Sequence, residues 1–454
     1  MTLANYPWRH WASLAPAKVA LHTQNGEISW QHLVNQVDNL AASFHRQGVN
    51  AGMGVALRGR NSMPLLLSWL ALLQCGARVL PLNPQLPDTL LAALIPSLSI
   101  HFALSFDCDA VPGPAVLHYQ PLAGEWAEPW QPERFVSMTL TSGSTGLPKA
   151  AVHTASAQLA SARGVTALME FGRDDCWLLS LPLFHVSGQG ILWRWLVTGA
   201  ALALRPEQPL ALALQGCTHA SLVPTQLWRL LSDNPVSLSN LKAVLLGGAA
   251  IPVALTDTAQ LHGIACWCGY GMTEMASTVA AKRADGCGDV GQPLAGRQVR
   301  VVDNEVWLRG DSLASGYWRQ GHLLPLLNAE GWFATRDRGT YTNNTLTIHG
   351  RLDNLFFSGG ESIQPEEVER VIMAHPLVQQ VIVVPRIDEE FGHRPVAVVE
   401  LADPNALATL SDWIRDKLAR FQQPVQWLLL PDTLRQGGIK IARNAVMQWV
   451  AEQQ

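Results

Sequence analysis

The segment Thr141-Ser142-Gly143-Ser144-Thr145-Gly146-Leu147-Pro148-Lys149 constrains this chain more than any other. It packs four hydroxyl side chains and two glycines into nine residues and ends on a lysine. Apolar, strand-like runs flank it, Phe135 to Leu140 before and Ala150 to His153 after. A loop entered and left in this way offers backbone N–H groups, hydroxyls and one ammonium at a single place. Those are the groups that wrap phosphate oxygens. The Walker A spacing cannot be fitted to it, and no helix follows at once. A plain hairpin loop has no need of so many hydroxyls, so the segment reads as a phosphate-binding loop.

The rest of the chain must be large enough to carry such a site. At 454 residues it exceeds the ~100–200 of a typical domain, so two or more folded units are expected. Hydrophobic residues make up 48% and charged residues 15%, against ~25% charged in an average soluble domain, which excludes intrinsic disorder. Thirty-two basic against 36 acidic residues leave a formal charge of −4 and no broad basic surface for nucleic acid. The most apolar run, Met63 to Ala77, is shorter than the ~18–20 residues a spanning helix needs. It reads as a buried core helix, and no stable membrane insertion is expected. Trp8, Arg9, His10 and Trp11 stand where a signal peptide would need an apolar stretch. The seven cysteines form no C-x-x-C pair and read as inert thiols in a reducing, cytoplasmic setting.

Over the first 350 residues, apolar runs alternate with helical stretches, the pattern of an α/β layering with mixed sheets. Asn35 to Phe44 has helical spacing, whereas Val79–Leu82 and Val244–Leu246 read as short buried strands. Val111 to Pro132 reads as a loop or crossover. The last hundred residues follow a simpler pattern. Gln364-Pro365-Glu366-Glu367 starts a helix, with proline at the first helical position and acids in the first turn. Val381–Val384 and Val396–Val399 read as strands. Leu407, Leu410, Ile414, Leu418 and Phe421 have the spacing of a second amphipathic helix. The expected architecture is a large N-terminal layered α/β domain, 1–352, joined at Asp353 to a small α+β domain, 354–454.

Further motifs follow the loop in order. They are Ser180-Leu181-Pro182-Leu183-Phe184-His185, Gly247-Gly248-Ala249-Ala250-Ile251-Pro252, Tyr270-Gly271-Met272-Thr273-Glu274, Thr335-Arg336-Asp337, Gly350-Arg351-Leu352-Asp353 and Gly437-Gly438-Ile439-Lys440. Taken with the loop, this series resembles the adenylate-forming superfamily of acyl-CoA synthetases, peptide-synthetase adenylation domains and luciferases, over nearly the whole chain. The resemblance implies ATP and Mg²⁺ as reactants and coenzyme A as co-substrate. It assigns the phosphates to Thr141, Ser142, Gly143, Ser144, Thr145, Gly146 and Lys149. Gly247, Gly248 and Ala249 fall on the adenine side, Tyr270, Gly271, Met272 and Thr273 on the nucleotide, and Asp337 and Arg351 on the ribose. Glu274 and Thr145 are the implied magnesium ligands. Lys440 is the implied catalytic lysine, acting with Glu274, Thr141 and Lys149. Gly359 and Gly360 would line the coenzyme A channel, and Asp353 would be the hinge.

Two positions depart from the family pattern. Arg336 stands where a glycine usually precedes the ribose aspartate, which leaves the turn geometry open. Gly-Ile-Lys replaces the usual Gly-Lys step, so Lys440 is catalytic only with a one-residue insertion; otherwise Ile439 holds that position.

The acid is a separate question. On a helix, Ser187, Ile191 and Arg194 would share one face. Arg194 lies in an otherwise apolar run, where a guanidinium is costly unless it is paired or reaches water. A second carboxylate on the substrate would satisfy it, and so would an internal partner. Within the superfamily the sequence resembles most closely the o-succinylbenzoate–CoA ligases of menaquinone biosynthesis. That resemblance implies an aromatic keto diacid bound by His185, Ser187, Arg194, Gly269, Ser277 and Thr278. An aryl-acid adenylating domain that loads a carrier protein shares these motifs, and a nucleotide-binding regulator without catalysis is the reading from another class. Tryptophan-rich surfaces leave a homo-oligomer open.

Overall fold

The computed structural model describes residues 3–141, 148–232, 240–249, 251–435 and 441–453. Two large sheets with helices between them form most of the first 325 residues. In one, nine strands run in the spatial order Gln292–Pro293, Ser277–Arg283, Cys266–Met272, Ala243–Leu246, His219–Leu222, Cys176–Leu178, Ala201–Leu204, Val19–Thr23 and Gly26–Ser29. The centre of this sheet is parallel and both ends are antiparallel. The other has eight strands in the order His322–Leu324, Gly316–Arg319, Lys149–Thr154, Phe135–Thr141, Arg78–Leu82, Gly54–Arg58, Ile100–Ser105 and Ala115–Val116.

One apolar cluster spans both sheets, with Leu21, Trp177 and Leu202 from the first and Val55, Leu57 and Val79 from the second. Between them lies Met63–Gln74, in which every residue from Leu65 onward is buried. An all-round apolar helix is stable only in such a place, so the reading of Met63–Ala77 as a core helix holds. No helix among the described residues is long and apolar enough to cross a membrane. Tryptophan fills much of this layer: Trp8, Trp30, Trp69, Trp177, Trp193 and Trp195 are fully buried. All seven cysteines are free thiols. Burial pushes Cys75 and Cys266 up to about 12, which keeps them protonated and unreactive.

A four-stranded antiparallel sheet, Arg297–Val302, Glu305–Gly310, Phe333–Thr342 and Thr345–Arg351, packs on Met275 and Val279. The last hundred residues build their own core. The helix Pro365–Met373 begins as expected, with Gln364 at its N-cap, proline in the first turn and Glu366 and Glu367 beside it. Its Val368 and Ile372 pack on Val381, Val383 and Val399 from the long antiparallel pair Val378–Asp388 and Gly392–Leu401. The expected fold class, a large α/β domain followed by a small α+β domain, is what the chain adopts.

One expected element differs. Leu407 to Phe421 is not a continuous helix but a 3-10 segment, Pro404–Thr409, then an α-helical turn, Leu410–Ile414, then a second 3-10 turn, Arg420–Gln422. The Gln423 amide donates to the carbonyls of Arg415 and Leu418, which satisfies them without helix continuation. The apolar stripe is still buried: Leu410 and Ile414 belong to the core, and Leu407, Leu418 and Phe421 pack on it. Spacing of three and four fits a string of tight turns as well as a helix.

Candidate active site

The phosphate-loop motif joins two strands of the eight-stranded sheet. Thr141 and Lys149 face each other at the open end of their antiparallel pair. Ser142, Gly143, Ser144, Thr145 and Gly146 lie outside the described residues, as does Lys440. Lys149 extends its ammonium over the Tyr317 ring, 5.0 Å from the centroid. The Tyr317 hydroxyl in turn donates to Glu274 Oε1 at 2.6 Å. Burial and the Glu274 charge raise the Tyr317 pKa, so the phenol stays a donor. Lys149, Tyr317 and Glu274 therefore form one patch, with Glu274 Oε2 free of any hydrogen bond from the described residues.

Glu274 sits in the single 3-10 turn Thr273–Met275, which ends at Ala276 with φ 51°. Ser277 follows with φ 110°. Two consecutive non-glycine residues in the left-handed region cost on the order of 1–3 kcal/mol each, a strain that concentrates at functional sites. Several contacts hold the turn: Ser161 Oγ donates to the Ala276 carbonyl at 2.7 Å, and the Ala314 N–H to that of Glu274 at 2.7 Å. Gly271 is required opposite, because a Cβ there would come within 2.1 Å of the Ser277 carbonyl oxygen. His153 is fully buried beneath the same turn. Burial pushes its pKa down to about 4, and the Thr273 and Glu274 backbones offset this only in part.

The segment Thr335-Arg336-Asp337 forms a second cluster with Tyr270 and Arg351. The Tyr270 hydroxyl donates to Asp337 Oδ2 at 2.5 Å, and Arg351 Nη1 lies 3.3 Å from Asp337 Oδ1. Burial and Asp337 raise the Tyr270 pKa well above its usual value. Arg351 also reaches Asp353 at 3.3 Å, and Arg336 reaches it at 2.9 Å. Arg336 adopts φ 64°, the conformation in which glycine is at ease. The turn is thus kept although the glycine is not. In the Gly247-Gly248-Ala249 segment, Gly248 is left-handed with φ 85°, and a Cβ on Gly247 would meet the Gly269 carbonyl at 3.5 Å. Ala249 follows, and Ala250 lies outside the described residues.

Arg194 occupies the helix Val186–Thr198 and is 1% exposed. Its Nη1 donates to Ser221 Oγ at 3.1 Å, and its Nη2 to Ser277 Oγ at 3.3 Å and Thr278 Oγ1 at 3.4 Å. The guanidinium lies 5.0 Å over the Trp177 ring. Among the described residues no carboxylate comes within ion-pair distance. Burial, and then the charge of Arg297, push its pKa down to about 9. A Cβ on Gly190 would stand 3.0 Å from Ser277 Oγ and 3.1 Å from Arg194 Nη2, so this glycine keeps the front of the guanidinium open.

Known proteins match this chain along its whole length. The AMP-binding enzyme family matches residues 8–318, and the AMP-binding enzyme C-terminal domain matches 367–437. The chain belongs to the AMP-binding enzyme family. It is 63% identical to a 2-succinylbenzoate–CoA ligase of Salmonella typhimurium over 453 residues, covering 100% of this chain and 99% of that protein. It is 61% identical to the 2-succinylbenzoate–CoA ligase of Escherichia coli, with 100% of each covered. An arginine-to-lysine variant of E. coli MenE with bound OSB-AMS superposes with a TM-score of 0.95 at 59% identity over 100% of both chains.

In this AMP-binding enzyme the sequence motifs converge as follows. Lys149 and Glu274 meet through Tyr317, and Thr141 pairs with Lys149 in the strand register; Tyr270, Asp337 and Arg351 meet directly; Arg194, Ser277 and Thr278 meet through hydrogen bonds, with Gly269 packed against Thr278. Met272 and Thr273 lead into the Glu274 turn. His185 is the N-cap of the Arg194 helix, and Ser187 lies half-buried in its first turn, so the expected shared face is realised. Gly359 and Gly360 form a two-residue hairpin turn, with φ 57° and 88°, and Gly359 N–H donates to the Phe391 carbonyl at 2.9 Å. That turn belongs to the C-terminal unit, between the strands Phe356–Ser358 and Glu361–Ile363. Tyr317, Ser221 and Trp177 escaped the sequence reading. Ser221 had a usable signal, since it sits near the carboxyl end of a parallel strand, where α/β sheets place ligands. Tyr317 had none.

Proposed function

We infer that this protein is an ATP-dependent acid–thiol ligase that activates the succinyl carboxylate of o-succinylbenzoate and transfers the acyl group to coenzyme A in menaquinone biosynthesis. Arg194 is the observation that carries the choice of acid. A fully buried guanidinium held, among the described residues, by hydroxyls and a ring retains an unmet demand for negative charge. The second, ring-borne carboxylate of an aromatic diacid meets that demand, while the succinyl arm extends toward the nucleotide. Ser277 and Thr278 orient the guanidinium, and Ser187 with His185 borders the acid.

The chemistry has two half-reactions. A succinyl carboxylate oxygen attacks the α-phosphorus of ATP, and the bond to pyrophosphate breaks. The coenzyme A thiol then attacks the acyl carbonyl, and AMP leaves. Thr141 and Lys149, with the loop between them, neutralise the phosphates, and Lys440 stabilises the charge that develops at the α-phosphorus. Asp337 accepts from the ribose hydroxyls, and Arg351 fixes its carboxylate. Glu274 presents a single hard oxygen beside the phosphate patch, which suits Mg²⁺, an ion held by one or two carboxylates together with substrate phosphates. Glu274 and Thr145 would hold it, and it would supply neutralisation of phosphate charge.

Between the half-reactions the unit 354–454 turns about Asp353, withdrawing Lys440 and bringing Gly359 and Gly360 to the thiol channel. The Arg336 and Arg351 contacts to Asp353 are partly exposed, so they oppose this rotation only weakly. Free thiols and the co-substrates ATP and coenzyme A fit a cytoplasmic location. The test is pyrophosphate release with ATP, Mg²⁺ and coenzyme A, comparing o-succinylbenzoate, benzoate and a medium-chain fatty acid. Strong preference for the diacid with thioester formed is the expected result. Turnover with one of the other acids alone would overturn the assignment.

A further inference from the structure

Arg297 is a second buried cation that the reaction as described does not use. It is 7% exposed, at the start of the strand Arg297–Val302. Its Nη1 donates to the Ala295 carbonyl at 2.9 Å and its Nη2 to the Ser161 carbonyl at 3.1 Å, while Nε has no partner among the described residues. Among the described residues no carboxylate lies within ion-pair distance. The nearest acidic influence is the exposed Asp311, which lies beyond that distance. The seat is built for the guanidinium: a Cβ on Gly164, one turn along from Ser161 on the same helix, would fall 2.5 Å from Nη1.

This seat connects to the acid site. The Ser161 carbonyl accepts a hydrogen bond from Arg297, and the Ser161 hydroxyl donates one to the Ala276 carbonyl. The next residue, Ser277, accepts from Arg194. The two guanidinia are close enough for the Arg297 charge to count against that of Arg194. Two buried like charges, neither with an acidic partner within reach, leave the ligand-free protein with a local excess of positive potential.

We propose that Arg297 is a positioning and specificity-determining residue that reinforces the anion demand at Arg194 and thereby widens the preference for a dianionic over a monoanionic acid. It acts through the field and through the Ser161–Ala276–Ser277 strut and does not touch the substrate. The proposal rests on the diacid reading of Arg194 above.

The test compares kcat/KM for o-succinylbenzoate with that for 3-benzoylpropionate, the same keto acid without its ring carboxylate. In Arg297→Gln, which keeps a donor and loses the charge, the diacid preference is expected to fall ~10-fold with KM for ATP unchanged. Arg297→Lys, which keeps the charge, should retain most of the preference. An unchanged preference in the glutamine variant, or an equal loss in the lysine variant, would overturn the proposal. Should the glutamine variant not fold, Asp311→Asn decides. Removing that remote negative charge should raise the preference roughly twofold, and no rise would count against the proposal. Arg194→Gln in the same assay separates the two readings. If it keeps the preference, the diacid reading itself fails; if it loses the preference and Arg297→Gln does not, only the present proposal fails.

Discussion

Replacing Arg194 with methionine distinguishes a guanidinium kept for a substrate from one kept for the fold. Its pKa falls from 12.5 to about 9, chiefly through burial. At neutral pH, below both values, the whole cost of holding the cation in the folded state is present. The shift corresponds to a penalty on the order of 5 kcal/mol. Against it stand three hydroxyl hydrogen bonds and the Trp177 face. At ~1 kcal/mol per bond and ~1–2 for the ring, these offset most of the penalty but create no surplus. Methionine fills much of the same volume, and the three hydroxyls can rotate to other acceptors. Arg194→Met should therefore unfold within a few degrees of the wild type or above it. The KM for o-succinylbenzoate should rise at least ~30-fold, the loss of one desolvated charge pair, with the KM for ATP unchanged. Thermal unfolding without ligand and initial-rate kinetics measure the two halves. A destabilisation of ~3–5 kcal/mol, the cost of breaking a buried internal ion pair, would refute the reasoning, as would an unchanged KM for the diacid.

Three further outcomes are expected. Lys440→Ala should abolish acyl-AMP formation and largely spare thioester formation from pre-made acyl-AMP; equal loss in both half-reactions would remove the lysine from its assigned role. Tyr317→Phe keeps the ring beneath Lys149 but frees Glu274 Oε1, so the Mg²⁺ concentration for half-maximal rate should rise several-fold while the KM for the diacid stays put. A Mg²⁺ titration that superimposes on the wild type would show that the hydroxyl does not position Glu274. His153 is held neutral by burial, with a pKa of about 4 against 6.5 in the unfolded chain. Its contribution to stability is therefore full above pH 6.5 and is lost as the pH falls toward 4, by ~2 kcal/mol between pH 7 and 5. His153→Asn should melt with a shallower decline over that range, read by tryptophan fluorescence, and parallel declines would contradict the burial argument.

How much of this was legible beforehand depended on the range of the signal. The helix start at Gln364-Pro365-Glu366-Glu367 is a local rule, and it holds to the residue. The buried strand Ala243–Leu246 and the helix Met63–Gln74 follow from apolar runs whose length alone separates strand from helix. At Leu407–Phe421 the pattern predicts burial correctly and conformation incorrectly. Apolar spacing reports which side chains face the core, whereas the Gln423 amide, a contact from beyond the stretch, decides whether the backbone continues as a helix. Site residues divide in the same way. Glu274 and Asp337 are read from their motifs, but their partners Tyr317 and Arg351 come from other strands, and only Arg351 belongs to a motif of its own.

The ribose turn shows why a departure from a motif need not be a loss of its geometry. A glycine before Asp337 would enter the left-handed region at no steric cost; Arg336 enters it at φ 64° and bears a strain of about 1 kcal/mol. Its backbone N–H donates to Glu305 at 2.7 Å, and its side chain forks onto Asp353 at 2.9 and 3.2 Å. The backbone bond would be made by either residue, whereas the fork onto Asp353 needs the arginine side chain and is of the size needed to offset the strain. The aspartate is thus delivered to Tyr270 and Arg351 as a glycine would deliver it. The added guanidinium also ties the turn to Asp353, the residue about which the C-terminal unit is proposed to rotate. In this chain the substitution links the proposed ribose contact to the proposed hinge through an ion pair that a glycine at that position lacks the atoms to make.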